Sequence, residues 1–399
     1  MLTDRSTLTA LGGMLALACA MGIGRFALTP ILPYMLDALH WTKADAGLVA
    51  SANYLGYLIG AIMAASSCVS AKPRPWLIGS LALSAATTAA MAFASGIVAL
   101  SVIRVISGVA SALVIVCSSQ LVLERLSRSG QRGLAGVHFS GVGTGIALTA
   151  LAIGALLAIG ADWRQMWLAC GAIALLITAP VVLLVPPQDL KRHSGPQQAA
   201  TPMPRAALAV ICAHGLFGFG YVITATFLIE LVRLSGEPRS LEPWFWAVAG
   251  IAAVPSVAVW VRLSQRVGTL RAYAAACVLE AIGVAASVEW NSARGLFLSA
   301  ALLGGTFMGI TALGFVAIRN FSENNSQRMM GLLTGSFAVG QIIGPIFAGH
   351  LFELAGSFRG PSLAASAVLI CAAAFTVYAD IATSQPTRGA RLLNEDNRS

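Results

Sequence analysis

The chain is divided into about twelve apolar runs, each long enough to cross a lipid bilayer as a helix. A spanning helix needs about 20 mainly apolar residues, and helices keep their backbone hydrogen bonds satisfied in lipid. The runs lie near 8–30, 46–69, 76–95, 97–120, 133–158, 164–185, 205–230, 243–265, 272–290, 295–318, 329–352 and 362–383. This pattern predicts an all-α membrane protein with about twelve transmembrane helices.

The composition excludes a soluble protein and several classes of partner. Only 10% of residues are charged, whereas soluble domains average about 25%. The net charge of +9 comes from basic residues scattered singly between apolar runs, without the basic stripe that tracks nucleic acid. The seven cysteines have no CxxC or metal-ligand spacing, and no ATP-binding G-x-x-x-x-G-K-[ST] is present. We expect a lipid bilayer around the chain, no nucleic acid, no metal and no cofactor.

A polar stretch in the middle of the chain divides the runs into two equal sets. Residues 186–204 contain proline, glutamine, lysine, arginine and histidine, which is typical of a linker. The predicted organisation is a six-helix bundle over 1–185, a linker over 186–204, a second bundle over 205–385 and a tail over 386–399.

The lysines and arginines are distributed unequally between the two ends of the predicted helices. Most of the 25 fall on the side that holds both termini and the linker. The opposite side holds Lys43, Arg164, Arg239, Arg294 and Arg359. Because basic loops stay in the cytoplasm, we expect both termini and the linker to be cytoplasmic.

The N-terminal run also resembles a secretory signal, since Arg5 precedes it and Ala18-Cys19-Ala20 ends it. Cleavage there would remove the apolar run that leads into the next feature. We therefore expect this run to remain as the first helix.

The stretch Met21–Tyr34 places an arginine inside an apolar segment. A charge within a spanning helix costs at least ~2.5–3.5 kcal/mol, so Arg25 needs water, a counter-charge or a ligand. The two glycines before it allow another backbone to approach, and Pro30 and Pro33 are expected to interrupt or end the helix. The stretch predicts a bent segment that lines a functional cavity.

The two halves carry matching patterns that favour an internal duplication, as transporters commonly show. Gly22-x-Gly24 falls on Gly218-x-Gly220 at an offset of 196, which sets Arg25 opposite Tyr221. The other matches are Gln131-Arg132 with Gln327-Arg328 at the same offset, and Gly136, Gly141 and Gly145 with Gly335, Gly340 and Gly344 at an offset of 199.

Two further motifs carry a family resemblance. Arg104-Val-Ile-Ser-Gly108-Val-Ala-Ser-Ala112 in the fourth run is similar to R-x-x-x-G-x-x-x-A, and Gly340-Gln-Ile-Ile-Gly344-Pro345 in the eleventh is similar to G-x-x-x-G-P. With Gly-Ile-Gly-Arg-Phe in the first run, the chain resembles the major facilitator superfamily and its bacterial YbfB/YjiJ-like subgroup. The resemblance implies two pseudo-symmetric six-helix bundles, with helices 1, 4, 7 and 10 around a central cavity.

Two departures from the family pattern bear on function. Gly141-Val-Gly-Thr-Gly145 in the fifth helix lacks the proline that proton antiporters of the family carry, which weighs against an exporter. The loop after the second helix reads Ser67-Cys-Val-Ser-Ala-Lys72-Pro-Arg74-Pro and lacks the family's aspartate, which puts the charge latch there in doubt.

The candidate substrate site is built on two arginines predicted at a comparable depth. The guanidinium fork of Arg25 or Arg104 matches a carboxylate or phosphate. The alternative for each is a structural or gating role, satisfied by carbonyls or an internal acid. The neutral side chains expected to complete the site are Asn53, Tyr57, Phe217, Tyr221 and Gln341.

Proton coupling needs a group that titrates inside the membrane. Glu280 is the best-placed acid, and His214 and His138 are the candidate imidazoles; packing or interhelical hydrogen bonding is the alternative for all three. Glycines at helix contacts let backbones approach closely and form possible pivots. Those predicted to do so are Gly141, Gly145, Gly340 and Gly344.

Together these features predict a monomeric secondary active transporter that moves a small organic solute, expected to be an organic anion, by alternating access coupled to protons. One alternative is a drug or metabolite efflux proton antiporter. A non-transporting membrane sensor or interaction protein is an alternative of another class. A membrane-embedded enzyme would need clustered catalytic groups, which the sequence does not show, so we expect no enzymatic activity.

Overall fold

The computed structural model describes residues 2–187, 203–290, 292–321 and 326–396, with side chains over 5–187, 203–290, 292–321 and 328–384. Every regular element in these ranges is a helix. Twelve helices in this part of the chain are long and apolar enough to cross a membrane, which confirms the predicted fold class. They are α1 (Arg5–Leu39), α2 (Lys43–Ala64), α3 (Pro73–Phe93), α4 (Ile97–Arg128), α5 (Arg132–Ala158), α6 (Trp163–Leu184), α7 (Arg205–Leu234), α8 (Arg239–Val267), α9 (Thr269–Glu289), α10 (Ala293–Phe321), α11 (Arg328–Ala355) and α12 (Arg359–Ser384).

The predicted helix limits agree with these spans to within a few residues, except at the ends of α1 and α4. The last helix also continues beyond its span to Asp396, into the predicted tail. The prediction ended the first helix at residue 30, but α1 continues to Leu39. Pro30 lies in the first turn of the α-helical segment Leu28–Leu39, where a missing backbone N–H costs little. Pro33 lies inside the same segment. The prolines therefore do not end the helix, and the prediction that they would was wrong.

α1 is built from two α-helical segments separated by wider turns. Leu2–Leu17 is α-helical, Ala18–Arg25 is a π-helix, and Leu28–Leu39 is α-helical again. The amide of Phe26 still reaches back five residues, to the carbonyl of Met21 at 3.2 Å. Wide turns of this kind are rare and often occur at functional sites. The change of helix type falls next to Arg25.

The helices form two sets, α1–α6 and α7–α12, that meet along three helix pairs. α2 packs on α11, α5 packs on α8, and α1 packs on α7. In α1, 94% of the most apolar stretch is buried, against 33% in α6. α1 therefore lies at the centre of the protein and α6 at its periphery. Most of the predicted linker, residues 188–202, lies outside the described residues, and the domain limits stay predictions.

The glycine-rich helices α5 and α11 make close contacts that a side chain would block. A methyl group added at Gly141 would lie 2.0 Å from the carbonyl oxygen of Met14 in α1. In the second half, one at Gly340 would lie 2.1 Å from the carbonyl oxygen of Gly215 in α7. The corresponding values for Gly145 with Ala18 and for Gly344 with Phe219 are 2.4 and 2.9 Å. The same contact thus occurs in both halves, as expected for a duplicated fold.

The two halves are tied by charged and polar contacts at one end of the bundle. We call this the distal end, where α1 ends at Leu39 and α2 begins at Lys43. The contacts across it are the ion pair of Lys43 with Glu230, that of Arg233 with Asp37 at 2.8 Å, and the hydrogen bond from Tyr34 to Glu242 at 2.6 Å. Among the described side chains, no ion pair joins the halves at the opposite end.

Candidate functional site

Arg25 lies at the interface between the halves and is 3% exposed. Its Nη2 donates a hydrogen bond to Oε1 of Gln341 in α11 at 2.9 Å. Its guanidinium carbon lies 4.7 and 4.5 Å from the ring centroids of Tyr54 and Tyr57 in α2, within the range of cation–π attraction. The amide nitrogen of Gln341 in turn donates to the hydroxyl of Tyr221 in α7. A hydrogen-bonded chain thus crosses from one half to the other.

The positive charge of Arg25 has no counter-charge in the part of the chain that the structure describes. Among the described side chains no carboxylate pairs with it, and its Nε has no hydrogen-bond partner. A buried charge is costly unless it is paired. The contacts that Arg25 does make are to a neutral amide oxygen and to aromatic faces. Its surroundings therefore suit the arrival of an anion.

Arg104 is equally buried, but its guanidinium is hydrogen-bonded to the backbone of α1. Its Nη1 donates to the carbonyl of Gly24 at 3.0 Å and its Nη2 to the carbonyl of Arg25 at 2.9 Å. The Nδ2 of Asn53 in α2 donates to the backbone carbonyl of Arg104 at 3.1 Å. Arg104 thus holds the junction in α1 where the wide turns end. These contacts give it a positioning role for Arg25, and its contact with substrate stays a prediction.

Phe217 packs against Tyr221, the last residue of the hydrogen-bonded chain. Its ring stacks on that of Tyr221 at 4.9 Å and on that of Phe337 at 5.5 Å. The Phe337 ring is parallel to the Tyr221 ring at 5.8 Å. Of the residues predicted to bind substrate, Arg25, Tyr57, Tyr221 and Gln341 meet in one site. The other three predicted residues contact this group at one remove. The ring of Phe217 stacks on Tyr221, Arg104 donates to the backbone of Arg25, and Asn53 donates to the backbone of Arg104.

A small apolar cavity lies beside this site, between the two halves. It encloses about 10 Å³, roughly the space for one water molecule. The first half contributes Phe26 and Ile146, and the second contributes Tyr221, Trp246, Leu303 and Phe307. The sequence analysis did not select Trp246 or Phe307. Phe307 lies on the tenth helix, which the family resemblance places at the cavity, but no sequence signal indicated Trp246 on the eighth.

Glu280 lies between α9 and α10, away from Arg25. The hydroxyl of Thr306 in α10 donates to its Oε2, and its Oε1 has no partner. The other fully buried acids within the described residues, Glu230 and Glu242, pair with Lys43 and Arg233. Glu280 is therefore the buried acid that lacks a basic partner in this part of the chain.

The two candidate histidines lie in separate interhelical contacts. The Nδ1 of His214 in α7 is 2.9 Å from the hydroxyl of Tyr273 in α9. The Nε2 of His138 in α5 is 3.1 Å from the hydroxyl of Ser119 in α4. Neither imidazole contacts Arg25. The described residues also contain no group of three or more His, Cys, Asp or Glu side chains that could hold a metal ion.

Two packed six-helix sets that meet at a central interface are an arrangement typical of membrane transporters. Residues 17–377 match the profile of the family described as "Uncharacterised MFS-type transporter YbfB", and the chain belongs to that family. The predicted family is confirmed, as is the prediction of a transporter rather than an enzyme.

Comparison with individual proteins agrees with this family. The chain is 21% identical over 379 residues to a hexuronate transporter of Bacillus subtilis (strain 168), covering 88% of this chain and 89% of that protein. It superposes on the crystal structure of the nucleoside transporter NupG with a TM-score of 0.67 and 15% identity, covering 94% and 98% of the two chains. A bacterial homologue of the human lysosomal transporter Spinster, inward-facing and unoccupied, gives a TM-score of 0.69 at 15% identity, covering 95% and 97%.

Proposed function

We propose that this transporter moves a small organic anion and binds its carboxylate or phosphate at Arg25. The observation that carries the proposal is the buried guanidinium between the halves with no carboxylate partner among the described side chains. Arginine binds such anions through paired, charge-assisted hydrogen bonds. Gln341 and the rings of Tyr54 and Tyr57 hold the guanidinium in place, and its unpartnered Nε remains available for a ligand.

A carboxylate is the favoured anion. The Bacillus subtilis relative is named for hexuronate, which is a sugar carboxylate, although it shares only 21% identity with this chain. Arg104 adds a second buried positive charge. Its hydrogen bonds to the backbone of Gly24 and Arg25 place it next to the first. Two buried cations that pair with no acid among the described side chains favour an anionic ligand over a neutral or cationic one.

Alternating access is the transport mechanism we propose. Arg25 and Gln341 belong to different halves, so a rocking motion of the halves changes the site that they form. Within the described residues, ion pairs join the halves at the distal end. A transporter of this kind needs one closed end and one that can open, and the close glycine contacts of α5 and α11 can serve as pivots.

Proton coupling is proposed through Glu280. A buried carboxylate without a basic partner requires a counter-ion, and a proton is the smallest that can reach it. Thr306, which donates to Glu280, precedes Phe307 at the cavity wall. Protonation of Glu280 would make its carboxyl a weaker acceptor and would release the Thr306 hydroxyl. Because Thr306 belongs to α10, this release connects the acid to a helix that lines the cavity.

The proposed function is tested by transport into proteoliposomes. Uptake of a panel of labelled organic acids is measured under an imposed pH gradient, with protein-free liposomes to subtract passive leak. At least one acid is expected to accumulate, faster with the gradient than without it. Arg164→Ala is the matched control for Arg25→Ala, because Arg164 also lies against an aromatic ring and donates to a carbonyl but lies away from the interface.

Each element of the proposal has its own contradicting outcome. Normal uptake by Arg25→Ala would show that Arg25 is structural. Uptake that is indifferent to the pH gradient would remove proton coupling. Glu280→Gln is expected to lose gradient-driven accumulation while keeping exchange of internal for external substrate, and loss of both would contradict its coupling role.

We also propose that both termini face the cytoplasm of a bacterial inner membrane. The support is the excess of lysine and arginine on the side of the termini. Reporter fusions at residue 399 that are active only in the cytoplasm test this orientation, and activity of a periplasm-specific reporter there would contradict it.

A further inference from the structure

The cavity beside Arg25 has an aromatic wall that the binding of a carboxylate does not require. The ring of Phe26 lies 5.9 Å from that of Phe307 and 6.4 Å from that of Trp246. The ring of Tyr221 is parallel to that of Phe307 at 5.8 Å. Four rings from both halves thus surround one apolar space.

The cavity and the charge are adjacent. The guanidinium carbon of Arg25 lies 5.6 Å from the ring centroid of Phe26, and Phe26 itself forms part of the cavity wall. Tyr221 also belongs to both, because it accepts the hydrogen bond from Gln341 and lines the cavity. A single small molecule can therefore place an anionic group at Arg25 and its remaining atoms in the cavity.

The described wall residues offer a polyhydroxylated molecule one unpartnered polar group, the Nε1–H of Trp246. The surface that faces the cavity is apolar, and the hydroxyl of Tyr221 is already bonded to Gln341. Burying a hydroxyl group without a hydrogen-bond partner is unfavourable. Aromatic rings, by contrast, attract a flat apolar ring in stacked or edge-to-face geometry. An apolar aromatic wall therefore suits an acid that carries a flat ring better than a sugar acid.

We propose that the substrate is an aryl carboxylate, with its carboxylate at Arg25 and its ring in the cavity formed by Phe26, Tyr221, Trp246 and Phe307. This inference rests on the proposed function. The closed cavity is too small for the ring. Because its wall comes from both halves, their separation widens it, and the ring enters in that open state.

The test is binding to the detergent-solubilised full-length protein, measured by isothermal titration calorimetry. The probes are phenylacetate, its neutral amide phenylacetamide, the non-aromatic cyclohexylacetate, and glucuronate. Phenylacetate is expected to bind at least tenfold tighter than glucuronate and phenylacetamide, and more tightly than cyclohexylacetate. Binding is used instead of uptake because weak aryl acids cross lipid in their neutral form.

Variants of the wall localise the ring. Trp246→Leu and Phe307→Leu are expected to weaken phenylacetate binding at least fivefold, whereas Trp246→Phe keeps an aromatic ring and most of the affinity. Phe245→Leu is the control, since Phe245 is buried next to Trp246 but stacks on Phe297 at 4.0 Å and is not part of the cavity wall. Thermal unfolding of each variant verifies that it is folded.

The outcomes separate this inference from the proposed function. Glucuronate binding as tightly as phenylacetate, or wall variants that bind phenylacetate normally, would overturn the aryl assignment and leave the anion site intact. Equal binding of phenylacetate and phenylacetamide would overturn the anion site itself. Binding of none of the three carboxylates would overturn both.

Discussion

Arg25 and Arg104 are buried close together in the first half, yet their guanidinium groups meet different surroundings. Arg104 is bonded to the carbonyls of Gly24 and Arg25, all within one half. Arg25 reaches across the interface to Gln341 and has no acidic partner among the described residues. Arg104, the arginine of the R-x-x-x-G-x-x-x-A motif, thus donates its hydrogen bonds to backbone carbonyls. The one outside that motif is the arginine that we propose binds the ligand.

The largest expected effect is that of Arg25→Ala. The substrate loses a charge-assisted hydrogen bond, which contributes about 1.5–3 kcal/mol and corresponds to ~10- to 100-fold in affinity. The variant should unfold near the temperature of the unchanged protein, because removal of a costly buried charge offsets the lost hydrogen bond to Gln341. Calorimetric binding and thermal unfolding of the same preparation check both parts. A folded variant that keeps full affinity would show that Arg25, like Arg104, has a structural role.

Arg104→Ala should show the reverse pattern. The carbonyl of Arg25 loses its donor, and that of Gly24 keeps only the longer contact from the Ser107 hydroxyl at 3.4 Å. A buried unsatisfied group costs about 1–3 kcal/mol. We expect a clear fall in the thermal unfolding temperature in detergent and a lower yield of folded protein. Protein that remains folded should bind substrate within a few fold of normal. Unchanged stability with lost binding would instead place Arg104 in the substrate site.

Gly108→Ala tests whether the region around Arg104 is scaffold. The added methyl group would lie 2.0 Å from the backbone carbonyl oxygen of Asn53 in α2. Overpacking of this kind costs about 1–3 kcal/mol. Gly79→Ala in α3 is the matched control, because nothing lies within 4 Å of its added methyl, and alanine favours a helix by up to ~1 kcal/mol. Equal stability of the two variants would contradict the close contact.

The smallest effect is expected for Gln341→Leu. The variant loses a neutral acceptor for Arg25 and a donor to Tyr221. A hydrogen bond contributes about 0.5–1.5 kcal/mol net, or roughly 2- to 10-fold in affinity. We expect weaker substrate binding through a less well oriented guanidinium, measured by calorimetry against the unchanged protein. A loss as large as that of Arg25→Ala would show that Gln341 itself carries the binding.

Most of the fold could be predicted because twelve apolar runs of spanning length leave few alternatives. The length of α1 could not be predicted from its prolines. A proline ends a helix only where its missing N–H and its ring disturb a formed turn, and Pro30 lies in a first turn. The sequence does not reveal that the wider turns of Ala18–Arg25 come before it.

Part of the site could also be predicted. The cost of a charge in lipid singled out Arg25, and the internal repeat set it opposite Tyr221, to which Gln341 links it. The partners themselves depend on tertiary packing, since Arg25 and Gln341 are 316 residues apart. Trp246 carries no sequence signal, because aromatic residues in apolar helices most often serve packing alone.

The most direct measurement compares a carboxylate with its neutral amide in two proteins. Calorimetry gives the ratio of affinities for phenylacetate and phenylacetamide, first in the unchanged protein and then in Arg25→Gln. If the charge of Arg25 binds the carboxylate, the ratio is at least ten in the unchanged protein and falls to about one in Arg25→Gln. A ratio that stays the same in both proteins would contradict an anion site at Arg25.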